Sequence, residues 1–249
     1  SIGNAVGSVT ANIGLIMALS LIFIPMAIKR KDFAVKVSLM MGAALLLGVF
    51  GGGDSVGIVP SVLFLCLFVV NVAENIISAK RAMVGGGEEE TADKDKKTVI
   101  INIAKFVIGA AAIVWGADLL VDNGSKLATV MGVPERVISV TIIAIGTSLP
   151  ELVTTITAIV KKQGNLSVGN IIGANIIDLT LIMPVCALVS GGALPVTRQV
   201  GSIDLPAALV VGAIAVIPTM ISKKFSRWQG FVLIAVYIAY VIITTVIVK

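Results

Sequence analysis

The 249 residues are 57% hydrophobic and only 13% charged, with a mean hydropathy of +1.06, which excludes an ordinary soluble domain and points to a chain built for lipid. The net charge of +5 is concentrated in a few loops, so it reads as a topology signal and not as a nucleic-acid footprint. With no histidine anywhere, His-based catalysis is excluded and a zinc site is disfavoured; the expectation is a protein that is not an enzyme.

A membrane span needs ~20 mostly apolar residues at ~1.5 Å each. Eight segments qualify in chain order: 5–28, 34–51, 57–78, 99–121, 137–160, 167–190, 203–221 and 228–248. Lys29, Arg30, Lys31 and Lys36 follow the first. Lys80, Arg81, Lys94, Lys96 and Lys97 follow the third. Lys161 and Lys162 follow the fifth, and Lys223, Lys224 and Arg227 the seventh. The alternate loops are poorer in charge, with Asp54, Arg198 and a mixed group of Asp122, Lys126, Glu135 and Arg136. The positive-inside rule places the first set in the cytoplasm, so the expected protein is integral to the cell membrane, multi-pass, with both chain ends outside. The stretch VGGGEEETADKDKK, residues 84–97, is polar and glycine-rich and reads as a cytoplasmic linker. Cys66 and Cys186 lie singly within apolar spans and read as small hydrophobes.

The chain contains a repeat. In GNAVGSVTANIGLIM, residues 3–17, Gly3, Asn4, Gly7, Leu15, Ile16 and Met17 recur in GNIIGANIIDLTLIM, residues 169–183. The offset of 166 residues also carries the second and third spans onto the seventh and eighth. The copies are five crossings apart, and an odd number makes them face opposite ways. The expected fold is therefore all-α and polytopic, with an inverted-topology repeat of the kind found in secondary transporters, whose sites lie near the bilayer midplane. The expected organisation is a first repeat at 1–83 with three spans, a linker at 84–98, and a second repeat at 99–249 with five. GTSLPE, residues 146–151, lies before the second copy, and its partner would fall ahead of Ser1. Two helices of an inferred ten are thus expected to be missing, and either that N-terminal piece or a second copy of the chain is expected as a partner.

The fifth span poses the chemical question. It carries one carboxylate, Glu151, directly after Pro150. Proline removes a backbone donor and clashes with the preceding turn, so the helix loosens around residues 145–147 and frees carbonyls near Thr147. Thr147, Ser148, Glu151 and Thr155 recur at helical spacing and are expected on one face. In the sixth span, Asn170, Ala174 and Asp178 form a stripe with Asn175 beside it, matched in the first copy by Asn4, Ser8 and Asn12. Ionisable groups in hydrocarbon are costly and mark ion paths by default. A lone Asn or Ser in such a helix is more often packing glue. The candidate metal ligands are Glu151, Thr147, Ser148, Asp178, Asn12, Ser8, Asn4, Asn170 and Asn175, a set of hard oxygens suited to Ca²⁺ or Na⁺.

GTSLPE followed by GNIIGANIID resembles the second alpha-repeat of the sodium/calcium exchangers, within the cation/calcium exchanger superfamily. GNAVGS with Asn12 resembles part of the first, and residues 115–151 resemble the prokaryotic branch. The resemblance implies electrogenic antiport of Ca²⁺ against Na⁺ by alternating access. It implies Glu151 and the Thr147 region as Ca²⁺ ligands, Ser148 and Ser8 at Na⁺ sites, and Asn12 and Asp178 at the centre. Ca²⁺ and Na⁺ are then transported ions, with no organic cofactor; membrane lipid is the surrounding partner, and no nucleic acid is expected. Ala174 departs from the usual Ser and Val9 from the usual Asn. K⁺-dependent or Ca²⁺/H⁺ exchange stays open.

Other classes fit less well. GGGD at 51–54 matches the G-x-G-D pattern of intramembrane aspartyl proteases, but Asp54 lies at a span end where a glycine turn is the simpler reading. A passive cation channel uses the same broken helices and carboxylates and is the stronger competitor.

Overall fold

The computed structural model describes residues 2–28, 30–51, 53, 55–84, 96–133, 138, 142 and 144–247. In a bilayer every backbone group must find its partner within the chain, and the apolar runs accordingly form helices. In order these are α1 (Ile2–Phe23), α2 (Arg30–Phe50), α3 (Ile58–Val84), α4 (Lys96–Val130), α5 (Ala144–Thr147), α6 (Leu149–Val160), α7 (Gly164–Val189), α8 (Val200–Ser222) and α9 (Arg227–Ile242), the last continuing into a wider turn at Ile243–Ile247. Among the described residues, seven are long and apolar enough to cross a membrane. The fifth expected span is instead broken at Ser148, leaving α6 as a shorter apolar helix. The chain is a polytopic all-α membrane protein.

The boundaries depart from the sequence in one informative place. The fourth span was expected to end near residue 121, yet α4 runs on to Val130. Asp122 and Lys126 made that end look like a loop, but charged residues at a helix terminus are solvated there at little cost. No residue in the most apolar stretch of α4 is buried, and Phe106, Ile108 and Trp115 lie open on its surface, as a lipid-facing helix requires.

The repeat is visible in the backbone. α1 is α-helical to Ala11, widens into a π-helical turn at Asn12–Met17, and resumes at Ala18–Phe23. α7 is α-helical to Ile177, widens at Asp178–Ile182, and resumes at Met183–Val189. The π turns begin at Asn12 and Asp178, the same position at the 166-residue offset. π turns leave the regular ladder and are frequent at functional sites. The halves also interlock. The first part of α1 packs on α8 and its last part on α9; α7 does the same with α2 and α3. The π turn of each packs against the first part of the other.

Two small antiparallel bridges repeat the relation at the helix ends. Ser55–Val56 (β1), before α3, pairs with Leu194–Pro195 (β2), before α8. Ala27, before α2, bridges Lys224, before α9. The core lies between the crossing helices, around Ile13, Leu21, Leu47, Ile171, Ile176, Leu179 and Leu233. The α1–α9 contact depends on Gly230, where a Cβ would lie 2.6 Å from the Ala18 carbonyl oxygen. At the matching position of the α7–α3 contact stands Phe64, fully buried.

Candidate cation site

Ser148 takes φ −98° and ψ 8°, outside helical geometry, and separates α5 from α6. Pro150 lies in the first turn of α6, where its missing N–H costs nothing. Glu151 follows in that same turn, so its carboxylate meets the positive end of the helix dipole. Gly146 lets this broken segment lie against α4, because a Cβ there would run into Val121. The loosening expected around residues 145–147 is present, one residue further on at Ser148.

Three links draw α1, α5, α6 and α7 together. Ser8 Oγ of α1 and Thr147 Oγ1 of α5 are 3.4 Å apart. Asn12 Nδ2 of α1 donates to Asn175 Oδ1 of α7 at 2.9 Å. Glu151 of α6 and Asp178 of α7 are near enough for their charges to interact. Ser8, Asn12, Ser148 and Asn175 are buried, Glu151 and Asp178 partly buried, and Thr147 exposed.

Three side-chain oxygens in this group are buried without a hydrogen-bond partner: Asn12 Oδ1, Ser148 Oγ and Glu151 Oε2. An unpaired buried polar atom costs about 1–3 kcal/mol. Three such oxygens on helices that converge form a coherent set of acceptors. Among the described residues, no three His, Cys, Asp or Glu side chains meet as a metal cluster. The local charge therefore rests on Glu151 and Asp178, with hydroxyl and amide oxygens around them.

The other candidates lie differently. Asn4 is exposed, as is its repeat partner Asn170, which donates to Thr154 Oγ1 at 2.9 Å. Thr155 is fully buried and bonds Ser167 Oγ at 3.2 Å, tying α6 to α7 as packing. The break at Ser148 changes the helical phase, so residues 147–155 do not share one face. Cys66 is exposed and Cys186 partly buried; both are free thiols. Asp54 of the GGGD pattern, residues 85–95 of the linker and the Glu135–Arg136 pair lie outside the described residues.

Some polar groups escaped the sequence reading. Asp204, 4% exposed on the π turn that opens α8, accepts a hydrogen bond from Tyr240 of α9 at 3.1 Å. Glu74 of α3 accepts from Ser78 at 2.7 Å. The 166-residue offset, applied to Tyr240, leads to Glu74 and was the available signal. Met40 of α2 also reaches the site, its sulfur 3.8 Å from Asn175 Nδ2.

A sequence profile of the family described as sodium/calcium exchanger protein matches residues 1–76 and 101–246. The chain belongs to the sodium/calcium exchanger family. An uncharacterized membrane protein of Methanocaldococcus jannaschii is 32% identical over 249 residues, covering 96% of this chain and 74% of the relative. Sodium/calcium exchanger MaX1 of Methanosarcina acetivorans is 34% identical over 142 residues, covering 57% of this chain and 40% of its own length. A solved structure of the sodium-calcium exchanger NCX_Mj, from crystals soaked with Na⁺ and Sr²⁺, superposes with a TM-score of 0.74 at 29% identity, covering 96% of this chain and 74% of that one. Membership of this family makes the chain a cation/calcium exchanger of the membrane, a transporter and not an enzyme.

Proposed function

We propose that the chain exchanges Ca²⁺ for Na⁺ across the membrane by alternating access, with the α1, α5, α6 and α7 cluster as the cation site. The observation that carries this reading is the set of three unpaired buried oxygens, Asn12 Oδ1, Ser148 Oγ and Glu151 Oε2, with the Asp178 carboxylate within electrostatic reach of Glu151. Oxygen donors without thiolate or imidazole suit hard cations. Two carboxylates balance a divalent charge in a medium where an isolated ion would be prohibitively costly. The same oxygens serve Na⁺ in turn, and competition for one site is what couples the two fluxes.

In this reading Glu151, Ser148 and the Thr147 region hold Ca²⁺. Ser8 and Ser148 contribute to Na⁺, and Asn12, Asn175 and Asp178 form the centre. Asn4 and Asn170 mark the exposed approach on each half. The repeat boundaries follow as 1–83 and 99–249, joined by the 84–98 linker, with the Lys-rich loops and that linker on the cytoplasmic side. The name of MaX1, a sodium/calcium exchanger, favours Na⁺ as the counter-ion. The test is tracer Ca²⁺ uptake into liposomes carrying the protein and loaded with Na⁺, K⁺ or a proton gradient in turn. Uptake is expected with internal Na⁺ alone. Uptake driven only by K⁺ or protons would give the counter-ion role to that species, and uptake without any counter-gradient would favour a channel.

A further inference from the structure

Met40 is a buried methionine on α2, 2% exposed, with no part in the cation chemistry above. It stands at the end of a directed chain of amides. Its Sδ accepts from Asn175 Nδ2 at 3.8 Å. Asn175 Oδ1 then accepts from Asn12 Nδ2 at 2.9 Å, and Asn12 Oδ1 is left unpaired in the cluster.

An asparagine amide has one acceptor end and one donor end, so its orientation is a choice that neighbours must make. If Asn175 turned over, its amino group would face the amino group of Asn12. Asn12 would then turn as well and present N–H to the cluster, where a cation needs oxygen. Met40 supplies an acceptor, although a weak one, at the only end of this chain away from the site. The repeat lacks an equivalent. At the 166-residue offset Asn175 matches Val9 and Met40 matches Pro206, so the device exists in one half alone.

We infer that Met40 is a positioning residue: its sulfur fixes the amide orientation of Asn175 and thereby of Asn12, so that Asn12 offers its carbonyl oxygen to the transported cation. The inference rests on the cation-site reading proposed above. Met40→Leu keeps the volume and removes the acceptor. Tracer Ca²⁺ uptake should then show an apparent KM for Ca²⁺ raised about threefold to tenfold, the range expected for losing one weak hydrogen bond. The maximal rate and the thermal unfolding temperature should stay near those of the wild type. Met40→Gln, which restores an acceptor, should return KM toward the wild-type value. In an Asn175→Val background, Met40→Leu should have no further effect.

An unchanged KM in Met40→Leu overturns the inference. So does a Met40→Leu effect that persists undiminished without Asn175; this arm decides the matter even where Met40→Gln fails to fold. Glu151→Gln is measured alongside. Wild-type flux in that variant would overturn the site reading and this inference together. Loss of flux there, with Met40→Leu unaltered, would overturn the role of Met40 alone.

Discussion

α1 and α7 share a backbone but not a chemistry. Each is an α-helix that widens to a π turn at the matching residue and packs on the last two helices of the opposite half. At matching positions, however, Ser8 corresponds to Ala174, Val9 to Asn175, and Asn12 to Asp178 across the repeat. The amide pair that joins the helices, Asn12 and Asn175, is not a symmetry pair at all. The lesson is that the inverted repeat supplies two equivalent places to interrupt a helix, and single substitutions then make them unequal. At the start of the π turn one half carries a carboxylate, Asp178, and the other a neutral amide, Asn12.

The largest break in the comparison is Glu151→Gln. It keeps the shape of the side chain and removes the one carboxylate charge that acts on Asp178 among the described residues. A unit charge at ~4 Å and an effective dielectric of ~20 is worth about 4 kcal/mol. Tracer Ca²⁺ exchange should fall by about three orders of magnitude, to background. Detergent-solubilised protein should unfold at nearly the wild-type temperature. Flux within tenfold of wild type would remove Glu151 from the site.

Asp178→Asn makes α7 chemically like α1 at the π turn. Asn12 already occupies that position in the other half, so packing should accept it, with a stability change under ~1 kcal/mol by thermal unfolding. Transport should lose its balance between ions: the dependence of Ca²⁺ uptake on Na⁺, K⁺ and pH should all shift. An unaltered ion dependence would take Asp178 out of the centre.

The contacts that flank the two helices differ as well. Gly230 lets α9 approach α1, whereas the buried Phe64 stands at the matching position of α3. Gly230→Ala should destabilise by about 1–3 kcal/mol, since backbone atoms of Ala18 stand in the way. A thermal unfolding midpoint equal to that of wild type would show that the two interfaces are equally loose. The smallest expected effect is that of Ser8→Ala, which copies Ala174 and removes the contact with Thr147. One hydrogen-bonding hydroxyl is worth about 0.5–1.5 kcal/mol, so half-saturation by Na⁺ should rise roughly twofold to tenfold. No change would assign Ser8 to packing.

The spans, the repeat and the polar motifs were legible because hydropathy, the offset and Pro150 each act locally along the chain. The family resemblance carried by GTSLPE and GNIIGANIID was borne out. Which side chains meet was less legible. Thr155 has the helical spacing of a ligand, but the interruption at Ser148 turns it toward Ser167. Asn170 lies in the same stripe as Asp178, yet it bonds Thr154. Asp204 and Tyr240 are 36 residues apart and belong to different helices, so no periodicity joins them. Met40 looks like any other residue of an apolar run; only its distance to Asn175 gives it a role. These are matters of phase, rotamer and tertiary contact, on which a one-dimensional pattern is silent.

The central claim is that Ca²⁺ and Na⁺ compete for one set of oxygens held by α1, α5, α6 and α7. The most direct measurement is initial Ca²⁺ uptake by Na⁺-loaded liposomes containing the protein, over a range of external Na⁺. A shared site predicts that external Na⁺ raises the apparent KM for Ca²⁺ and leaves the maximal rate unchanged, with no uptake in Glu151→Gln. A Ca²⁺ flux indifferent to Na⁺ on both sides would contradict the claim.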